Sequence, residues 1–244
     1  MKLIPLAFAL ALVGGAAMLI PGPSDGRPAP PAPPEVTADA PVLVELFTSQ
    51  GCSSCPPADA LAEQLAKEPG LVVISRPVTY WDRLGWKDTL AREENTDLQR
   101  AYAAKGLGGY NGVYTPQIVV DGARGSVGSD EARVRRMIEA ERGAAAELSL
   151  AGDIVTITGT GSHDAELVLM ALDERAVVRI ARGENGRQTI AYTNVLMEET
   201  VLGGWSGSET RLSLPAFTTW GADRYALVLR ERNAGRVLAA KMIS

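Results

Sequence analysis

Both cysteines of this 244-residue chain, Cys52 and Cys55, stand in the stretch GCSSCPP at 51–57. Two thiols separated by two residues can exchange a disulfide with a partner, close a small structural clasp, or hold a soft metal ion. Structural zinc needs four ligands, commonly two such pairs. The chain has one pair and one histidine, the distant His163, so zinc is set aside and neither a resident metal nor a cofactor is expected. Cu(I) can be held by two thiolates alone, which leaves a copper carrier as an alternative. A clasp closing so short a loop would add little stability, because the loop-closure contribution grows with loop length. A redox pair is the remaining use and the leading reading.

Position supports that reading. PVLVELF (41–47) reads as a buried strand and PPADALAEQLAKEPG (56–70) as a helix. Cys52 then falls where a strand ends and a helix begins, and unpaired N–H groups and the helix dipole favour a thiolate there. Cys52 is the expected nucleophile. Cys55, one turn later and expected to be the more buried, resolves the mixed disulfide. No Lys, Arg or His lies between Leu46 and Ala66, so other groups must be brought in by the fold. Ser53 and Ser54 are candidate donors, and equally ordinary helix-capping serines. Glu45, seven residues before Cys52, would accept the resolving thiol's proton if buried behind it; otherwise it is an edge or salt-bridged carboxylate. Tyr80, Trp81 and Trp86, in an aromatic loop at 76–88, either wall the substrate side of the pair or plug a gap between domains.

These residues need a frame. LVVIS (71–75) reads as a second buried strand, which makes strand, helix, strand a parallel βαβ unit. A helix follows over 89–105, then a glycine-rich loop, then a hairpin in TPQIVVDGARGSVG turning at Asp121-Gly122. Ser129 is the expected cap of a last helix over 130–142. The order β-α-β-α-β-β-α is that of an α/β thioredoxin-like domain, placed at 41–143. In such a domain the position of Thr115-Pro116 carries a cis-proline that packs against the CxxC and shapes the substrate groove. From 144 to 244 short alternating runs are separated by Gly, Asn, Asp or Ser, which predicts a small antiparallel β-rich domain, sandwich-like. RGENGR (182–187) reads as one of its hairpin turns, and His163 as a solvated turn residue.

The N-terminus has a different character. Residues 3–20 carry no charge after Lys2 and read as an export segment, either cleaved as a signal peptide or kept as a membrane anchor. Seven of residues 21–34 are proline, which makes 21–40 a semi-rigid spacer. Export places the body of the chain in an oxidising compartment, periplasmic or secreted, with the inner membrane as the surface it would be anchored to. The net charge of −5 and pI of about 5.1 argue against nucleic acid as a partner.

VELFTSQGCSSC resembles the active-site segment of glutaredoxins and thioredoxins. More closely, ELFTSQGCSSCPPADALAEQLA, YWDRLGWKD, AYAAKG, GVYTPQIVVDG and RGENGRQTIAYTNV resemble an uncharacterised secreted bacterial family, the domain-of-unknown-function family numbered 1223, over about residues 41–240. The resemblance implies a thioredoxin-like fold with a β-rich extension and brings no established activity. Where the family's segment before Tyr80-Trp81-Asp82 reads like His-Val-Asp, this chain has Pro77, Val78 and Thr79. Three functions follow from the sequence: an exported thiol–disulfide oxidoreductase acting on protein or small-molecule thiols and disulfides, a non-catalytic thioredoxin-like binding module, and a Cu(I) carrier.

Overall fold

The computed structural model describes residues 41–110, 112–160, 163–216 and 221–243. The export segment and the proline-rich spacer lie outside the described residues. So do Gly161 and Ser162, which precede His163.

Strand β1 (Val42–Thr48) pairs in parallel with β2 (Leu71–Pro77) across the helix α1 (Pro56–Leu65). The two strands alternate between two buried environments. Val42, Val44 and Leu46, with Leu71 and Val73, pack against Ala58, Leu61, Ala62 and Leu65 of α1 and Val134, Met137 and Ile138 of α3 (Glu131–Ala140). Burial on both faces explains why these strands read as continuous apolar runs rather than alternating ones. β3 (Gln117–Val120) runs antiparallel to β1, and β4 (Arg124–Val127) closes the hairpin at Asp121-Gly122. α2 is shorter than the expected 89–105. It spans Glu93–Tyr102, followed by one wide turn at Ala103–Leu107 that Gly106 ends in the left-handed region (φ 87°). α3 is capped by Asp130, whose carboxylate accepts from the Arg133 N–H, and not by Ser129.

The expected division near residue 143 is corrected by the sheet order. One eight-stranded sheet runs β11-β10-β7-β8-β2-β1-β3-β4, joining strands from both sides of that boundary. Here β7 is Ala165–Arg179, β8 Thr189–Trp205, β10 Arg224–Glu231 and β11 Val237–Ile243. The join between β2 and β8 is a single parallel bridge, Ser75 to Val195. Side chains reinforce it: Ser75 Oγ donates to the Thr193 carbonyl at 2.7 Å, and Asn194 Nδ2 donates to the Val73 carbonyl at 2.9 Å.

A separate sheet of β5 (Ala146–Ala151), β6 (Ile154–Gly159) and β9 (Thr210–Ser213) covers the C-terminal strands. Leu148, Val155 and Ile157 pack there on Leu167, Leu169, Leu227 and Leu229. The alternate residues Val168, Met170, Leu172, Ala226 and Val228 pack on Leu43, Val72 and Ile74 of β1 and β2. A free-standing sandwich would leave that second face wet. Here it covers the face of β1 and β2 opposite to α1, so the C-terminal strands have one core of their own and share a second with the first half of the chain.

A charged seam lies in this contact. Arg76 of β2 is 1% exposed. Its Nε donates to Glu45 at 2.6 Å, its Nη2 to Glu199 of β8 at 2.6 Å, and its Nη1 to Asn95 of α2 at 3.2 Å. Burial alone would lower the guanidinium's pKa, yet Glu199 and Glu45 raise it above its ordinary value. Tyr102 Oη donates to the second Glu45 oxygen at 2.7 Å. Removing one partner of such a buried pair leaves an uncompensated charge, at a cost of about 3–5 kcal/mol. Arg76→Met is therefore expected to lower unfolding stability in urea by about that amount. Adding Glu45→Gln should restore a large part of it. A single variant within about 1 kcal/mol of wild type would show that the seam carries no such strain.

Candidate functional site at the β1–α1 junction

β1 delivers the chain into a tight loop at 49–55. Gly51 suits this loop, since a Cβ at this position would lie a tight 3.2 Å from the Trp81 Cβ. The Gln50 N–H donates to Asp88 Oδ2 at 2.8 Å, and the other Asp88 oxygen accepts from the Leu90 N–H. Asp88 thus pins the loop to the segment that precedes α2.

Cys52 and Cys55 form a disulfide. Both are fully buried, which corrects the expectation that Cys55 would be the more hidden of the two. The expected help from the helix is also corrected. Cys55 is the N-cap of α1, and Pro56 and Pro57 bring no N–H. The next two N–H groups, of Ala58 and Asp59, both donate to the Cys55 carbonyl. The helix start therefore has no free donor for a Cys52 thiolate. The one polar side-chain contact of the sulfur is with Ser54, whose Oγ lies 3.3 Å from Cys52 Sγ and donates to it in the oxidised pair. The Ser53 backbone N–H donates to Glu184 at 3.0 Å.

Glu184 belongs to the loop that conceals the pair. RGENGR is indeed a hairpin turn, joining β7 to β8. At about 3.3 Å per residue these long strands reach about 50 Å, enough to carry their connection onto the β1–α1 loop. Asn185, 1% exposed, donates from Nδ2 to the carbonyls of Gln50 at 3.0 Å and Cys52 at 2.8 Å. Gly183 has φ +79°, and a Cβ there would lie 3.3 Å from the Trp86 Cβ. The strap packs on the aromatic loop as well as on the cysteines.

The aromatic residues divide. Trp81 Nε1 donates to Thr115 Oγ1 at 2.8 Å, beside the cis peptide bond Thr115-Pro116. Trp86 Nε1 donates to Gln50 Oε1 at 2.8 Å, while its ring packs on the β7–β8 hairpin with Ile180, Ile190 and Tyr192. Trp86 thus bridges the β1–α1 loop and the β7–β8 hairpin. Tyr80 turns inward to Phe47, Val78 and Tyr102. Glu45 takes the salt-bridged alternative and not a place behind the resolving thiol: both its oxygens are engaged by Arg76 and Tyr102, so it is a structural ion-pair partner. His163 is stacked on Trp205 with ring centroids 5.2 Å apart and lies 3.6 Å from Glu231, so it is not a freely solvated turn residue.

Asp59, Asp88, Gln50 and Asn185 escaped the sequence reading. Their signal was available: an acid on the apolar face of α1, and polar residues inside the quoted motifs. Asp59 is 3% exposed; Thr48 Oγ1 donates to its Oδ1 at 2.7 Å, and its Oδ2 has no partner. Burial raises its pKa to about 7, against the Thr48 hydrogen bond and with a further contribution from Asp88. Among the described residues no group of three or more His, Cys, Asp or Glu is placed to hold a metal ion.

Residues 43–230 match the family described as protein of unknown function, DUF1223. The chain belongs to that family. The crystal structure of a protein of Agrobacterium tumefaciens is similar: it is 32% identical, the match covers 83% of this chain and 93% of that one, and the two superpose with a TM-score of 0.70. HBP35 of Porphyromonas gingivalis is 16% identical, with a TM-score of 0.53 over 84% of this chain and 75% of its own. That second likeness concerns the fold alone. No curated protein shows significant sequence similarity to this DUF1223 chain.

Two outcomes test the site. The folded-state pKa of Asp59 lies above its unfolded value, so the native state binds more protons between about pH 4 and pH 7. Its contribution is complete below pH 4 and is lost as pH rises through 7, amounting to a few kcal/mol at most. Asp59→Asn should match wild type near pH 4 and be the more stable protein above pH 7 in urea unfolding. Equal pH slopes would contradict the assignment. Separately, Asn185→Ala removes two hydrogen bonds worth about 1 kcal/mol each. Dithiothreitol should then reduce the disulfide roughly ten- to thirtyfold faster, and an unchanged rate would mean that the strap does not gate access.

Proposed function

We propose that this DUF1223 protein is an exported thiol–disulfide oxidoreductase on the reducing side of the redox scale, acting on protein or small-molecule thiols and disulfides. The observation that carries the reading is the Cys52–Cys55 disulfide at a strand-to-helix junction, with Trp81, Thr115 and the cis-Pro116 on the neighbouring loops. The parallel β1-α1-β2 unit, the β3–β4 hairpin after the cis-proline and α3 support a thioredoxin-like frame into which the C-terminal strands are built. The uncharged N-terminal run supports export.

In the proposed cycle the reduced Cys52 thiolate attacks a partner disulfide and releases one partner thiolate. Cys55 then attacks Cys52 Sγ, releases the second partner thiolate and restores the internal disulfide. Each turnover oxidises the pair and reduces the partner by two electrons, which a donor dithiol returns. The aromatic loop and Thr115 line the approach, and the strap at Glu184-Asn185 must lift first.

Direction follows from what the thiolate lacks. A strongly oxidising CxxC stabilises its reduced form, whereas a weakly stabilised thiolate favours the disulfide and gives a low potential. Here the helix start has no free N–H, no base stands in the loop, and the carboxyls of Asp59 and Asp88 lie on the inner side. The reduction potential measured against glutathione is expected near thioredoxin's, about −270 mV, and a value near DsbA's, about −120 mV, would overturn the direction. Insulin reduction with a dithiol donor is the turnover assay. Equal rates for wild type and Cys52→Ser would remove the enzymatic reading.

The complete burial of Cys52 favours a second reading, a binding module whose disulfide merely holds the β1–α1 loop. Asn185→Ala separates the two. An opened strap with no turnover leaves the binding module.

A further inference from the structure

The proposed exchange needs a group that handles the proton of Cys55, the sulfur farther along the chain and on the helix. We propose that Asp59 is this acid–base group, delivering a proton to the Cys55 thiolate when the disulfide opens and withdrawing it when the disulfide closes. The inference rests on the reading of the pair as redox-active and goes beyond it by naming a catalytic residue.

Geometry singles out Asp59. Cys55 has helical torsions (φ −77°, ψ −37°), and the Asp59 N–H donates to its carbonyl at 3.1 Å. The two residues are therefore one turn apart on α1, a spacing that puts Cβ atoms about 5–6 Å apart. That spacing brings a carboxyl within reach of the thiol, directly or through one water. The other acids near the loop are engaged elsewhere. Both Glu45 oxygens are bonded to Arg76 and Tyr102, and both Asp88 oxygens accept backbone N–H groups. Glu184 sits on the outer side at Ser53. Asp59 alone among these buried acids keeps an oxygen, Oδ2, with no partner.

The groups that act on Asp59 come from three elements. Thr48 at the end of β1 donates to Oδ1. Asp88, ahead of α2, repels its charged form. Tyr192 of β8 feels both carboxyls, and its own buried hydroxyl also lacks a partner. Burial, then Asp88, keep the carboxyl protonated up to about pH 7 despite the Thr48 hydrogen bond, so both protonation states are accessible near neutrality.

The steps balance. An incoming donor thiolate attacks Cys52 Sγ and the Cys52–Cys55 bond breaks. Cys55 leaves as a thiolate and takes the Asp59 proton, which leaves a carboxylate. In the reverse direction the Asp59 carboxylate removes the Cys55 proton. The Cys55 thiolate attacks Cys52 Sγ of the mixed disulfide, and the partner departs as a thiolate.

The test mixes reduced protein with the symmetric disulfide of thionitrobenzoate, whose released thiolate is coloured. The first equivalent reports attack by Cys52 and the second reports resolution by Cys55. In wild type the second phase should titrate through an inflection near pH 7. Asp59→Asn should slow that phase roughly ten- to a hundredfold relative to the first and move its inflection to that of an ordinary thiol, about 8.5. Thr48→Val keeps the shape of the buried threonine and removes the donor to Oδ1. It should move the inflection upward, and it tests the assignment even if Asp59→Asn does not fold. No release above the Cys52→Ser background would overturn the redox reading itself. Two clear phases whose second phase has the same rate and pH profile in Asp59→Asn, or the same inflection in Thr48→Val, would overturn the role of Asp59 alone.

Discussion

A guanidinium with almost no contact with water holds the two halves of the chain in register. Arg76 leaves β2 on the face opposite to α1 and binds Glu45 of β1, Asn95 of α2 and Glu199 of β8. Removing such a charge from water is costly, so the pair is weak evidence for stability. Its consequence is geometric. A buried charge tolerates few arrangements, and this one needs β8 beside β2 at a fixed height. The single backbone bridge at Ser75 and Val195 could not set that height alone. Burial would raise the Glu199 carboxyl, but Arg76 and Arg230 hold it below the ordinary range, so the β8 end of the seam stays ionised through neutral pH.

Once β8 is fixed, the position of the Glu184-Asn185 strap follows. The β7–β8 ladder runs continuously from Ala165–Trp205 to Arg179–Thr189, apart from two bulges. Its closed end is then set by strand length. That end meets the β1–α1 loop, where Asn185 donates to the carbonyls of Gln50 and Cys52, the second of which also accepts the Cys55 N–H. The cysteines are buried because a distant part of the chain covers them. This also bears on their electrostatics. Solvent is removed from a pair that has no cation in its own segment and no free helix donor, and both changes disfavour a thiolate.

The sequence made the first half of this arrangement legible. The apolar runs at 41–47 and 71–75, the proline-opened helix and the Asp121-Gly122 turn are local signals, and each corresponds to an element nearby in the structure. The second half was misread for a physical reason. ELVLMAL in β7 and ALVL in β10 lack alternation, because Leu167 and Leu169 face the β5-β6-β9 sheet while Val168 and Met170 face β1 and β2. An isolated sandwich would have shown polar residues on one of those faces. That departure from period two was the available sign that the C-terminal strands are covered on both sides. For Glu45 the sequence left a proton acceptor and a salt-bridged carboxylate both open, since nothing local to it reveals Arg76, thirty-one residues later. Asp59 was overlooked because an acid in the first helical turn reads as an ordinary dipole-compensating residue.

The departure at Pro77, Val78 and Thr79 fits this placement of charge. Val78 is fully buried against Phe47, Tyr102 and Val119, and Thr79 turns its hydroxyl to Glu93 and Thr96. No acid–base side chain therefore stands at the end of β2 in this protein. The proton chemistry available to the pair accordingly lies on its helix side, at Asp59. That carboxyl is insulated from the Arg76 seam by β1, whose alternate residues send Glu45 to one face and Leu46 to the other. One strand thus ties a structural acid to its guanidinium and leaves a second acid, across the strand, free to gain and lose a proton.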